Sequence, residues 1–280
     1  MRRNGRGRGE AAVPDAAGLD VEQVLEAGEI EVEGRLVEAS NLALRVWLTQ
    51  GEQRLPAVYK PISGERDLWD FPDGTLAGRE RATYLVARAG GWPHIPQTVL
   101  RDGPLGSGSV QRWVGPLEPT DPISLVRLDP VRELESSFLP VVALELADDG
   151  PVALCHADDS RLASLAVLDA VLNNADRKGS HLIEDGDHLW AIDHGLTFHP
   201  HAKLRTILWG WAGDPFPADD LQRLARLDAA LAEPDLIAAL AALLTPVEVT
   251  ALRNRVSRLA EEGVFPEPPQ DRTPLPWPLW

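Results

Sequence analysis

The chain has 280 residues, 44% hydrophobic and 25% charged, with 27 Lys and Arg against 43 Asp and Glu for a formal net charge of −16. That length buries a sizeable core, as one two-lobed domain or two small ones, while the acidic balance excludes a broad nucleic-acid surface and stable adhesion to an anionic membrane. A single cysteine, Cys155, excludes an internal disulfide framework and a cysteine-based zinc site.

The start, MRRNGRGRGE, has charge but no apolar stretch behind it, so it does not read as a secretory signal. No run of eighteen apolar residues occurs, so no transmembrane segment is expected and the cytoplasm is the expected location. Residues 1–20, rich in Gly, Arg, Ala and Asp, read as a disordered lead-in. Residues 30–37, 42–48 and 55–60 are short alternating runs, separated by Ala39-Ser40-Asn41 and Gln50-Gly51-Glu52; this is the pattern of an antiparallel meander. Lys60 closes the third run, just before Pro61-Ile62. Residues 76–87 have helical spacing, with Leu76, Glu80, Thr83, Tyr84 and Ala87 on one face, so Glu80 is the one acid beside an otherwise inward-facing stripe. Two further strands, 97–101 and 107–114, flank Asp102-Gly103.

Residues 115–130, rich in Pro and Asp, read as a linker. The apolar run 138–146 suits a helix or a strand, and Cys155, in Val152-Ala153-Leu154-Cys155, reads as a small buried hydrophobe. Asp158, Asp159 or Ser160 caps a helix carrying Leu162, Leu165, Leu168 and Leu172. That helix delivers the chain to residues 173–198, NNADRKGSHLIEDGDHLWAIDHGLTF. Here 181–183 and 189–192 are strand-like and Glu184-Asp185-Gly186-Asp187 is a turn, so a hairpin brings Asp176 and Asp193 together. A pair of carboxylates, one orienting a hydroxyl or taking its proton and one holding a metal on nucleotide phosphates, suits phosphoryl transfer; Asp176 is the candidate for the first role and Asp193 for the second. Beyond lie a basic, His-rich strip (His199, His201, Lys203, Arg205), with Lys203 and Arg205 candidates to receive an acceptor's anionic groups or simply an exposed turn. Helices over 219–231 and 236–244 and a capping box at Thr245-Pro246-Val247-Glu248 follow. The Pro-rich end, FPEPPQDRTPLPWPLW, reads as extended, with Trp277 and Trp280 either tucked against the protein or open to a partner.

Asp176-Arg177 followed by Ile192-Asp193-His194-Gly195-Leu196 resembles the catalytic core of the phosphatidylinositol 3-/4-kinase family, type II phosphatidylinositol 4-kinases above all, and Lys60-Pro61 resembles the Lys-Pro of the same enzymes. By motif the resemblance spans residues 32–213. It implies an α+β, two-lobed protein-kinase-like fold: an antiparallel-sheet N-lobe at 21–114, an inter-lobe linker at 115–130, a mainly helical C-lobe at 131–264 and a Pro/Trp-rich tail at 265–280. It implies an ATP-dependent kinase using Mg²⁺ or Mn²⁺ in which Asp176 is the base, Asp193 holds the metal, Lys60 grips phosphate and Glu80 orients Lys60. Ser40 and Asn41 would cover the phosphates, and the backbone at Gln111, Arg112, Trp113 and Val114 would face the adenine, with Trp113 equally suited to plain core. His181 stands where the family has an asparagine metal ligand, and it reads as a ligand or as a neighbour of one; imidazole suits Mg²⁺ poorly. The net charge favours a small-molecule or protein hydroxyl over a lipid. Two alternatives stay open: a regulatory nucleotide-binding pseudokinase, on the strength of His181, and a metal-dependent hydrolase built on His156, Asp158, Asp176, His181, Asp193 and His194, which lack HExxH spacing.

Overall fold

In a computed structural model, which describes residues 20–36, 41–71, 75–118, 124–146 and 150–280, the alternating runs pair as β1 (Glu29–Arg35), β2 (Leu44–Gln50) and β3 (Gln53–Pro61). After α2 (Leu76–Gly90) come β4 (Thr98–Gly103) and β5 (Gly106–Arg112), completing an antiparallel sheet of order β1-β2-β3-β5-β4. Its inner face buries Val46, Leu48, Leu55, Ala57, Tyr59, Val99 and Val110. A short helix that the sequence pattern did not reveal, α1 (Val21–Ala27), lays Val24 and Leu25 on that face. Asp20 caps it, its carboxylate accepting from the Gln23 N–H. Residues 1–19 of the lead-in expected to be disordered, and Ser40, lie outside those described, whereas Asp20 caps α1.

The second lobe opens with a small sheet ahead of its helices. β6 (Val126–Pro130), β7 (Phe138–Leu146) and β8 (Gly150–Ala157) form an antiparallel sheet of order β6-β8-β7, so the end of the Pro/Asp-rich segment is a strand. The ambiguous run 138–146 resolves as β7 for a physical reason. Pro140 would break a helix, but on an edge strand its missing N–H costs little, and the register shifts between Pro140 and Val142.

The apolar helix α3 (Ser160–Leu172) is buried from Leu162 to Leu172, capped by Asp159 and closed by Asn173 in the left-handed region. The expected hairpin follows as β9 (Leu182–Asp185) and β10 (His188–Ala191), then α4 (Ala218–Ala230), α5 (Pro234–Ala241) and α6 (Pro246–Glu262). The capping box is complete: Thr245 accepts from the Glu248 N–H while the Glu248 carboxylate takes the Thr245 N–H. The outcome is the two-lobed α+β, protein-kinase-like architecture. No helix among the described residues is long and apolar enough to cross a membrane.

Helix α2 belongs to both lobes. It packs on β4 and β5 on one side and on α4 on the other, and nearly its whole circumference is buried. Gly78 lets α2 also approach the turn after α5, since a Cβ there would lie 3.1 Å from the Leu243 carbonyl oxygen. Arg79 crosses into the helical lobe, pairing with Glu248 at 2.5 Å and donating to the Thr197 carbonyl at 2.6 Å, both charged residues being buried. Removing one partner of a buried pair leaves an uncompensated charge, so Arg79→Met is expected to lose roughly 3–5 kcal/mol, read from urea denaturation midpoints.

His94 ties the loop after α2 to the hairpin, donating through Nδ1 to Leu189 O at 3.0 Å and accepting at its own carbonyl from the Ala191 N–H. Burial pulls its pKa to about 4. The unfolded chain therefore takes up the proton first. The stability this histidine contributes is whole above about pH 6.5 and is lost as pH falls towards 4, at up to about 1.4 kcal/mol per unit. A urea series across that window should fall more steeply for the wild type than for His94→Asn.

Candidate active site

Lys60 is the penultimate residue of β3, a strand paired on both sides, with Lys60 itself opposite Ser109 of β5. Its ammonium reaches Glu80 Oε1 of α2 at 2.6 Å and Asp193 Oδ1 of the helical lobe at 3.0 Å. Burial opposes the lysine's charge, but the charges of Asp193 and Glu80 outweigh it and hold the pKa above the usual value. Glu80 is 3% exposed, and its second oxygen has no hydrogen-bond partner among the described residues. The Lys-Glu pair expected from the sequence is thus formed, and it faces a carboxylate across the cleft.

Asp176 sits in the loop after α3, and a buried polar network holds that loop. Asn174 accepts the Asp176 N–H through Oδ1 at 3.0 Å and donates through Nδ2 to Asp169 at 2.9 Å. Arg177 makes a two-pronged contact with Asp169, Nε and Nη2 each at 2.9 Å, with both side chains fully buried. The same guanidinium donates to Ile192 O at 3.2 Å and to His194 Nε2 at 2.6 Å. Burial, then the Arg177 charge, keeps the His194 pKa well below the ordinary value. Arg177 therefore ties the Asp176 loop to the residues flanking Asp193. Sequence reasoning missed Asp169, Asn174 and the role of Arg177; the available signal was Asp169, a lone acid inside an otherwise apolar helix.

The two aspartates sit in contrasting electrostatic settings. Lys60 pulls the Asp193 pKa well below the carboxylate range against the effect of burial, whereas burial raises that of Asp176, with the Asp193 charge adding to it and Lys178, 3.0 Å away, opposing it. Asp193 adopts a left-handed backbone, φ 61°, uncommon outside glycine. Its other oxygen lies 3.4 Å from His181 Nε2. Burial pushes the His181 pKa to about 4, so the imidazole is neutral near pH 7 and carries a lone pair. These two side chains fit one edge of a metal site. Among the described residues no group of three or more His, Cys, Asp or Glu is placed to hold an ion, so an ion bound here would take its remaining ligands from phosphate oxygens and water, the usual mode for Mg²⁺.

A cleft of about 1050 Å³ between the sheet and the helical lobe is lined by Lys60, Glu80, Asp176, His181 and Asp193 together with Asn41, Gln111, Trp113 and Val114. Gln111 is engaged through its amide with Thr98 and pairs in the sheet with Val58 and Thr98. The Trp113 indole donates to Pro116 O, and the Arg45 guanidinium lies 5.5 Å from its ring centroid. Asn41 Oδ1 accepts the Arg66 N–H. Of the basic strip, Lys203 pairs with Asp70 at 3.0 Å, while Arg205 lines the cleft. His156 and Asp158 are elsewhere: His156 Nε2 accepts the Gly210 N–H and Asp158 accepts the Trp211 indole N–H. With His194 taken by Arg177, the six hydrolase candidates do not converge.

Protein Rv2133c of Mycobacterium tuberculosis (strain ATCC 25618 / H37Rv) is 47% identical over 269 residues, covering 93% of this chain and 96% of its own length. The chain belongs to the family of protein Rv2133c. No family model matches. Among solved structures, the Golgi casein kinase aligns over 85% of the chain and 72% of its own, at 14% identity and a TM-score of 0.41. A Helicobacter pylori proinflammatory kinase, CtkA, aligns over 86% and 94%, at 9% identity and a TM-score of 0.44. Likenesses this faint carry no weight for function, which rests on the geometry of the cleft.

That geometry depends on the Asp169–Arg177 pair. Asp169→Asn leaves a buried guanidinium uncompensated and is expected to cost roughly 3–5 kcal/mol. Asp193→Asn, at a carboxylate half open to solvent, should cost far less; denaturation midpoints of the two variants give the comparison.

Proposed function

We propose that the chain is an ATP- and metal-dependent phosphotransferase of the phosphatidylinositol 3-/4-kinase-like type, acting on a hydroxyl of a small molecule or protein. The observation that carries this reading is Lys60 Nζ, held within 3.0 Å of both Glu80 and Asp193 at the wall of a cleft that also contains Asp176. In kinases the strand lysine must be paired with a helix glutamate to meet the nucleotide phosphates, and a loop aspartate must hold the metal.

Here Glu80 fixes Lys60, whose ammonium meets phosphate oxygens as a point charge. Asp193, kept ionised by Lys60, and His181 hold the metal, which when bound neutralises charge on the β- and γ-phosphates. Asp176 orients the acceptor hydroxyl and takes its proton; a raised pKa makes it the better base of the two carboxylates. The backbone at 111–114 takes the adenine. The net charge of −16 argues against a lipid surface. His181 in place of an oxygen donor supports a second reading, a nucleotide-binding pseudokinase, or a kinase that prefers Mn²⁺.

Saturating ATP at a hundredfold its Kd adds about 2.7 kcal/mol of stability, which for this size should raise Tm on the order of 5 °C. The rise should require Mg²⁺ or Mn²⁺ and vanish in Asp193→Ala and Lys60→Met. No metal-dependent rise in the wild type at millimolar ATP would sink both readings. His181→Asn is expected to increase Mg²⁺-supported phosphate transfer; an unchanged or lower rate would show that the histidine is not a poor substitute for an oxygen ligand.

A further inference from the structure

The carboxy-terminal segment is built into the cleft. Pro274 O accepts the Thr206 N–H at 3.1 Å and the Trp209 indole N–H at 3.0 Å, pinning one end. At the other end Leu279 is buried and its carbonyl accepts the Gly179 N–H at 2.9 Å. Trp280 lies on Gly179, where a Cβ would fall 2.5 Å from the indole Nε1. Gly179 is three residues beyond Asp176, so the second pin closes on the loop that carries the proposed base, and Thr206 of the first pin bridges to Arg177 of that loop. Between them, Leu275, Pro276 and Trp277 line the same cleft as Asp176. Trp277 is 85% exposed. An indole held out from a segment anchored on both sides contributes little to the core and presents a large apolar face to whatever enters the cleft.

Two guanidiniums accompany it. Arg205 lines the cleft and makes no side-chain hydrogen bond or ion pair among the described residues. Arg272, also in the lining, bonds Asp271 through Nη1 at 3.1 Å, but its Nε is buried without a partner among the described residues. Lys178, by contrast, is already paired with Asp176. In a chain of net charge −16, two incompletely matched arginines at a low-dielectric cleft wall focus potential on an incoming anion, and their planar forks suit phosphate and carboxylate.

We propose, on the phosphotransferase reading, that Arg205, Arg272 and Trp277 form the acceptor subsite, and that the acceptor is a small hydroxyl compound bearing a phosphate or carboxylate. The guanidiniums bind the anion and the indole receives the compound's apolar face, which turns its hydroxyl towards Asp176. The hydroxyl oxygen then forms a bond to the γ-phosphorus, and the bond from that phosphorus to the β–γ bridging oxygen breaks, its electron pair leaving on ADP. The hydroxyl proton goes to Asp176.

The test uses the full chain loaded with a non-hydrolysable ATP analogue and Mg²⁺, with inorganic phosphate and phenyl phosphate as probes. Both should raise Tm further in the wild type, phenyl phosphate binding on the order of tenfold more tightly through the aromatic platform. Arg205→Gln/Arg272→Gln should keep the nucleotide shift, as proof of folding, and lose both anion shifts. Trp277→Ala should keep the phosphate shift and lose the preference for phenyl phosphate. Binding only to phosphatidic acid vesicles, abolished in the double arginine variant, would support the same subsite and assign its anion to a lipid headgroup. Nucleotide-loaded protein that binds neither probe nor vesicles, or a double variant that binds them as the wild type does, would overturn the subsite. A wild type without any nucleotide shift would instead sink the phosphotransferase reading, and the acceptor role with it.

Discussion

A single ammonium between two carboxylates of different lobes organises this molecule. Lys60 comes from the end of a sheet strand, Glu80 from the helix wedged behind that sheet and Asp193 from a loop 133 residues further along the chain. The lysine keeps its charge against burial because two acids face it, and one of those acids is held ionised in return. For that contact to persist, the sheet, the helix and the distant loop must all stay in register, so everything else in the fold can be judged by how it holds those three pieces.

Two buried ion pairs do the holding. Arg79 and Glu248 tie α2 to the capped start of α6, which fixes Glu80 on the neighbouring position of the same helix. Asp169 and Arg177 tie the buried helix α3 to the loop beyond it and, through Ile192 O and His194, to the backbone around Asp193. Buried pairs are weak stabilisers against apolar substitutes but costly to break singly. Their value here is positional: each determines where a carboxylate stands without exposing the fixing residue to the cleft. Once placed, Asp176 and Asp193 have their proton affinities moved in opposite directions, the divergence that separates a base from a metal-holding group.

The cleft also differs in charge from the surface around it. The chain as a whole repels anions, yet the walls near Asp176 carry Lys60, Lys178, Arg205 and Arg272. Lys60 and Lys178 are matched there by carboxylates, so Arg205 and Arg272 supply the positive charge that would draw the proposed acceptor's anion inward, while the net charge disfavours polyanionic surfaces. The carboxy-terminal segment adds to this wall because it is pinned beside the Asp176 loop rather than trailing into solvent.

What could be read from the chain alone follows the range of the interactions. The meander, the β9–β10 hairpin and the capping box at Thr245 are specified by residues within a few positions of one another, so alternation, turn chemistry and cap residues suffice, whereas for α3 they narrow the cap only to Asp158, Asp159 or Ser160. The resemblance at Lys60, Asp176 and Asp193, together with Glu80 on its helix face, placed the candidate site residues in advance, and the cleft brings them together. The sheet of β6, β7 and β8 escaped because Pro140 and an ambiguous apolar run conceal a strand whose identity depends on pairing with β8. Asp169, Arg79 with Glu248, the loss of Lys203 to Asp70 and the folding of the tail against Gly179 were decided only in three dimensions. Apart from Asp169, whose partners Asn174 and Arg177 follow within eight residues, each is a contact between elements far apart in sequence. Whether a charged side chain ends up exposed, paired or facing a cleft is settled by what the rest of the fold brings to it, and no local pattern carries that information.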